Sequence, residues 1–143
     1  MIAILALAVQ SMIAVPDAVR KELDTMCAGW RLASVLPEIA EEIKTRTPTW
    51  PPNLLPGDFN GDGEVDVAVL LECRGSVQLA AFLSSGSGFS LEVLEKPEPH
   101  DPRQFLHLIR QEYEHDAIGV EYEAIGGHAW VFRDRKWRSV PRQ

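Results

Sequence analysis

The first half of the chain contains two segments whose apolar residues recur at helical spacing. In residues 16–28 the apolar side chains repeat every three or four positions, so that they share one face of a helix. Gly29 is a natural end for that helix, because glycine accepts the left-handed backbone that follows many helices. Residues 37–45 carry Ile39 and Ile43 with the same spacing. The sequence therefore predicts two N-terminal helices.

The second half of the chain changes to an apolar period of two, which is typical of β-strands. A proline-rich stretch over 45–57 separates the two halves and predicts a loop, since proline continues neither a helix nor a strand ladder. Residues 105–113 fit either a strand or a short helix. Six further runs have the strand pattern: 65–72, 76–83, 89–95, 117–124, 128–133 and 136–140. The predicted fold class is α+β, with the two N-terminal helices packed on one antiparallel sheet of about six strands.

The composition describes one folded domain with an excess of acidic groups. Of the 143 residues, 45% are hydrophobic and 24% are charged, which are ordinary values for a single globular domain. The 21 acidic residues outnumber the 14 basic ones and give a net charge of −7. Because an acidic surface repels phosphate groups, the charge argues against nucleic acid as a partner.

The start of the chain predicts export. Residues 1–15 contain no charged side chain, and this apolar run is too short to span a bilayer but suits a secretory signal peptide. Ala14 fits the position before a cleavage site, while a cut after Ser11 is the alternative. The predicted organisation is a signal peptide over 1–14 and one domain over 15–143. That domain would be periplasmic or secreted, with no membrane span in the mature chain.

The two cysteines leave two interpretations open. Cys27 and Cys73 are 46 positions apart and fit no zinc-binding spacing. Their apolar neighbours favour two buried free thiols. In an oxidising compartment the pair would instead form a disulfide that closes a long loop.

Residues 57–69, GDFNGDGEVDVAV, carry the motif with metal chemistry. Oxygen-bearing side chains at alternate positions of a tight turn point toward a common centre, and the glycines permit the backbone angles that such a turn needs. Ligand oxygens in this number favour Ca²⁺ over Mg²⁺. The alternative is a turn held by hydrogen bonds from its own side chains to the backbone, without an ion. The predicted ligands, within a loop over 58–66, are the side chains of Asp58, Asn60, Asp62 and Asp66 and the backbone carbonyl of Glu64.

This loop differs from an EF-hand and resembles another calcium-binding family. Val69 stands where an EF-hand requires a glutamate, and a strand pattern follows in place of a helix. The form D-x-N-x-D-G-x-x-D leading into a strand resembles the calcium loop of FG-GAP and VCBS repeats, the β-propeller blades of integrin-like and many bacterial exported proteins. The matching residues are Gly57, Asp58, Phe59, Asn60, Gly61, Asp62, Gly63, Asp66 and the apolar run 67–69. The Phe-Gly and Gly-Ala-Pro elements of the repeat are missing, and one copy cannot close a propeller, so the resemblance implies the calcium loop and not the propeller.

Together these features predict a small exported calcium-binding domain. Its Ca²⁺ would be structural, and its role would be a non-enzymatic interaction with an unidentified protein partner. One alternative is a periplasmic inhibitor or immunity-type protein that covers the active site of its partner. A small hydrolase is the other alternative, and it is the least favoured because the triad of Ser87, His115 and Asp116 lacks any local signature.

Overall fold

The computed structural model describes residues 15–47, 49–123 and 125–142. The predicted signal peptide therefore lies outside the described residues. Both predicted helices are present, as α1 (Asp17–Met26) and α2 (Pro37–Arg46). Among the described residues, no helix is long and apolar enough to cross a membrane.

The strands form two antiparallel sheets, so the prediction of helices packed on one six-stranded sheet is wrong. The five-stranded sheet has the order β1-β3-β4-β5, and β2 shares with β1 the outer edge of β3. Its strands are β1 (Arg31–Leu32), β2 (Leu54–Gly57), β3 (Asp66–Cys73), β4 (Ser76–Ser85) and β5 (Gly88–Pro99). The four-stranded sheet has the order β6-β7-β8-β9. Its strands are β6 (Gln104–Ile109), β7 (Ala117–Tyr122), β8 (Gly126–Arg133) and β9 (Lys136–Arg142).

Strands β3 and β4 of the five-stranded sheet are buried on both faces, so a second layer covers each face of the sheet there. On one face Val67 and Val69 of β3 pack against Leu23 of α1. On the other face Leu70 packs in one cluster with Ile118 of the four-stranded sheet. Strand β3 is accordingly buried at nearly every position, as a strand with two covered faces must be.

The two helices pack on different sheets. Helix α1 packs Val19 and Leu23 on the five-stranded sheet, on the face opposite the four-stranded sheet. Helix α2 instead places Ile39 and Ile43 against Phe105 of β6, which belongs to the four-stranded sheet. A single sheet that carries both helices therefore does not exist.

The two cysteines form a disulfide, so the favoured prediction of free thiols is wrong. Cys27 directly follows α1 and Cys73 ends β3, and their Cα atoms lie 6.2 Å apart. The bridge ties the covering helix to the central strand of the sheet beneath it. The apolar neighbours in the sequence indicate that each cysteine is buried, but they do not indicate that the two chain segments lie next to each other.

Asn53 joins the two sheets at the edge of β3. Its side chain is 2% exposed, its Nδ2 donates to the carbonyl of Ala33 at 2.8 Å, and its Oδ1 accepts from the N–H of Leu106 at 3.1 Å. Its own carbonyl accepts from the N–H of Leu70 at 3.0 Å. One residue therefore satisfies backbone groups next to β1, in β3 and in β6.

A second polar contact connects β5 with β8. The Glu95 carboxylate accepts from Trp130 Nε1 at 2.7 Å and lies 2.8 Å from His128 Nε2. Burial acts to raise the pKa of Glu95, but the hydrogen bonds from His128 and Trp130 outweigh it and lower that pKa. The hydrogen bond to Glu95 raises the pKa of His128 above 6.5, against the effect of burial.

This contact predicts a pH dependence of stability. Because the pKa of His128 is raised, its contribution to stability is complete below pH 6.5 and is lost as the pH rises through the raised pKa. Because the pKa of Glu95 is lowered, its contribution to stability is complete above pH 4.5 and is lost as the pH falls through the lowered pKa. The pair therefore stabilises the fold most between pH 4.5 and pH 6.5.

The measurement is urea unfolding of the wild type and of His128→Gln at a series of pH values. We expect the difference in unfolding free energy to shrink by about 1 kcal/mol as the pH rises above the raised pKa, which is the usual net value of one hydrogen bond. The two proteins differ at this one side chain, so the difference between their curves reports on His128. Parallel curves for the two proteins would contradict the assignment.

Candidate metal centre

The loop between β2 and β3 brings three carboxylates together. One carboxylate oxygen from each of Asp58, Asp62 and Asp66 lies within 4.8 Å of the others, so the cluster can hold a metal ion. The hairpin register fixes the two ends of this loop, since Gly57 of β2 pairs with Asp66 of β3. The short span between paired ends forces the intervening carboxylates to turn inward.

Asp58 organises the backbone of the loop. Its Oδ1 accepts from the N–H groups of Gly61 at 2.9 Å and Asp62 at 3.1 Å, and its Oδ2 accepts from Gly63 at 2.9 Å. Gly61 and Gly63 have φ values of 76° and 83°, a region that glycine adopts without strain. The glycines of the motif are thus required by the same turn that directs the N–H groups at Asp58.

Asp66 anchors the loop in the core. It is 0% exposed, its Oδ2 accepts from the N–H of Phe59 at 2.8 Å, and its Oδ1 accepts from the N–H of Ser84 at 2.8 Å. Burial raises the pKa of Asp66 above 3.8, against the lowering effect of these two donors, and the charge of Asp62 raises it further. The buried carboxylate therefore lies in a place where a positive charge would be favourable.

The remaining two predicted ligands are placed in the same loop. Asn60 Oδ1 accepts from the N–H of Asp62 at 3.3 Å. The side chain of Glu64 accepts from Ser84 Oγ at 3.1 Å through Oε2, and it is not part of the carboxylate cluster. Coordination by Asn60 and by the carbonyl of Glu64 stays a prediction.

The four-stranded sheet contributes contacts to this loop that the sequence did not reveal. The segment between β6 and β7 supplies Asp116, whose Oδ2 accepts from the N–H of Asp58 at 3.0 Å. It also supplies His115, whose imidazole ring lies so close to Gly61 that a Cβ at that position would collide with it. The sequence linked both residues to the unfavoured catalytic triad and not to this loop. Their proximity to the loop follows from the packing of the two sheets, which no local motif encodes.

The carboxylates retain the capacity to bind an ion. An ionised carboxylate has about four lone-pair sites, whereas Asp58 uses three in the loop, Asp66 two, and Asp62 one toward the N–H of Glu64. Two negative charges about 4.8 Å apart repel by roughly 3 kcal/mol at an effective dielectric of 20, and by about 1 kcal/mol in water. A cation would remove this repulsion without breaking the hydrogen bonds.

Comparisons with protein-family models, with curated proteins and with solved structures find no match for this chain. The resemblance to the FG-GAP and VCBS calcium loop therefore rests on the residues of the loop alone. The cluster of loop carboxylates is the structural feature that supports metal binding.

Proposed function

We propose that this protein is an exported calcium-binding domain whose single ion is structural. The observation that carries the proposal is the cluster of Asp58, Asp62 and Asp66 in a short loop between two paired strands. The ion would hold the loop that connects the buried strand β3 to β2. A non-enzymatic interaction role, as in the FG-GAP and VCBS proteins that the loop resembles, belongs to the same proposal.

The choice of Ca²⁺ rests on the chemistry of the donors. All predicted ligand atoms are oxygens, and the loop offers up to five of them from Asp58, Asn60, Asp62, Glu64 and Asp66. Calcium accepts six to eight oxygen ligands in flexible geometry, whereas Mg²⁺ requires a near-ideal octahedron and retains water. A loop with unevenly spaced donors on one side of the ion suits calcium better.

Export is supported by the disulfide between Cys27 and Cys73. Disulfides persist in the periplasm and outside the cell and are rare in the cytosol. The uncharged segment 1–15 suits a signal peptide for the same route. Weak calcium sites are also typical of extracellular modules, where the ion is abundant.

The test is thermal unfolding with Ca²⁺ and with a chelator. At a Ca²⁺ concentration of about 100 times Kd, binding should add about 2.7 kcal/mol to the unfolding free energy and raise Tm on the order of 10 °C. Asp62→Asn keeps an oxygen that can accept from the N–H of Glu64 but removes one charge, so we expect it to lose most of the gain. Mg²⁺ at the same concentration should give a smaller shift.

Asp134→Asn is the matched control, because Asp134 is an exposed aspartate in the turn between β8 and β9. This variant should respond to Ca²⁺ as the wild type does. If Ca²⁺ leaves Tm unchanged in the wild type, the loop is a turn held by its own hydrogen bonds and the proposal fails.

A further inference from the structure

A cleft separates the C-terminal half of α2 from strands β2 and β6. Its volume is about 210 Å³. Its floor is apolar and includes Leu54, Phe105 and Leu108. A concave, mostly apolar site with a few polar groups at its rim is the usual form of a small-molecule site.

The rim of the cleft carries two arginines. Arg110 is exposed, and within the described chain its side chain forms no hydrogen bond or ion pair. Arg46 forms an ion pair with Glu42 at 2.6 Å, one helical turn away. A guanidinium without a partner next to an apolar floor is a suitable site for a carboxylate, which it binds through two parallel hydrogen bonds.

His107 also lines the cleft. Its ring packs on Gly119, where a Cβ would collide with it, and its Nε2 lies 3.4 Å from Glu121. Its Nδ1 is buried, and no described residue forms a hydrogen bond with it. Burial lowers the pKa of His107 against the opposing charge of Glu121, and the charges of Arg142 and Arg46 add to the lowering. Because Nε2 faces the Glu121 carboxylate, Nδ1 is the acceptor nitrogen, so His107 contributes ring surface to the lining and no donor for an anionic ligand.

We propose that this cleft binds a small organic carboxylate with an apolar body, such as an aryl- or alkyl-substituted short-chain acid. The apolar body lies on Leu54, Phe105 and Leu108, and the carboxylate lies at the rim on Arg110. The cleft is somewhat larger than the roughly 150 Å³ cavity that holds one benzene ring, so an aromatic ring with a short acidic chain fits its volume. This inference does not depend on the calcium proposal, because it uses none of the loop carboxylates.

The test is a titration of the folded, disulfide-bonded protein with 3-phenylpropionate, followed by backbone amide chemical shifts in NMR spectra. We expect saturable shifts at Thr47, His107 and Arg110, with Kd of about 1 mM, as befits a ligand of this size. The amide 3-phenylpropanamide has the same shape without the charge and should bind at least about tenfold more weakly. The cation 3-phenylpropylamine should bind more weakly still.

Three variants test the role of the rim charges. Arg110→Gln should weaken binding of the acid by about tenfold, while Arg110→Lys should retain part of it. Glu42→Gln should strengthen binding, because Arg46 is then no longer shared with a carboxylate. Arg138→Gln removes an exposed arginine of β9, outside the cleft lining, and should change nothing.

Three outcomes would overturn the proposal. The first is the absence of saturable shifts at the cleft residues. The second is equal or tighter binding of the amide or the amine, which would show that charge does not select the ligand. The third is unchanged affinity in Arg110→Gln with an unchanged Tm.

Discussion

Replacement of Cys27 and Cys73 by alanine is expected to lower the free energy of unfolding by about 4 kcal/mol. The bridge closes a loop of 46 residues, and in the chain-entropy model a loop of that length restricts the unfolded state by this amount. A loss of that size is a large part of the 5–15 kcal/mol that typically stabilises a domain. The effect should be visible as a fall in the urea midpoint with little change in the native spectrum.

The wild type treated with a thiol reductant provides the matched control. It should unfold at the urea midpoint of Cys27→Ala/Cys73→Ala, and the reductant should leave the double variant unchanged. Two reactive thiols in the denatured wild type, without reductant, would contradict the presence of the bridge.

Asn53→Ala is expected to cost about 3 kcal/mol of unfolding free energy. The substitution leaves the carbonyl of Ala33 and the N–H of Leu106 buried without their partner, and each such loss costs about 1–3 kcal/mol. Asparagine also tolerates the φ of 63° at this position better than alanine does. The free energy of unfolding is measured by urea titration. The hydrogen-exchange rate of the Leu106 amide then reports whether this N–H has lost its partner.

Asn53→Gly separates the two causes of this effect, and Gln111→Ala is the control for a left-handed position without buried hydrogen bonds. Gln111 has a nearly identical φ of 65° but is exposed, so its replacement should change stability by less than about 0.5 kcal/mol. Asn53→Gly, which removes the backbone strain but not the loss of hydrogen bonds, should remain destabilising. A cost below about 1 kcal/mol for Asn53→Ala would show that the junction between the sheets does not depend on this side chain.

The sequence predicted those elements whose cause is local. The spacing of Val19 and Leu23, and that of Ile39 and Ile43, records which helix face is buried, so both helices were found. The alternation in 128–133 likewise records a strand with one buried face. These local patterns do not depend on which element packs against the apolar face.

The arrangement of the sheets was missed because its causes are not local. Strands β1 and β2 are short and lie in segments without an alternating pattern, and β2 lies within the proline-rich loop prediction. They become strands because β3 offers an unpaired edge, where Leu54 pairs with Val69 and Leu32 with Leu71. The choice of sheet for α2 depends on Phe105, about sixty residues further along the chain.

The residues of the candidate metal centre likewise include some that a local motif predicts and some that only the fold brings together. Asp58, Asp62 and Asp66 lie within nine residues, so their spacing alone predicted that their carboxylates would meet. Asp116 and His115 come from the other sheet, and only the packed fold brings them to the loop. Short-range motifs therefore predicted the clustered carboxylates but not the groups that support the loop.

The order of pairing in the two sheets has a consequence for the growing chain. In the four-stranded sheet every strand pairs with its neighbour in sequence, so it can assemble from local contacts as a meander. In the five-stranded sheet β1 and β2 have no partner until β3 has been synthesised. During that interval Cys27 is a free thiol awaiting Cys73, and we expect it to be the point at which the emerging chain is open to capture by an oxidant or by another chain.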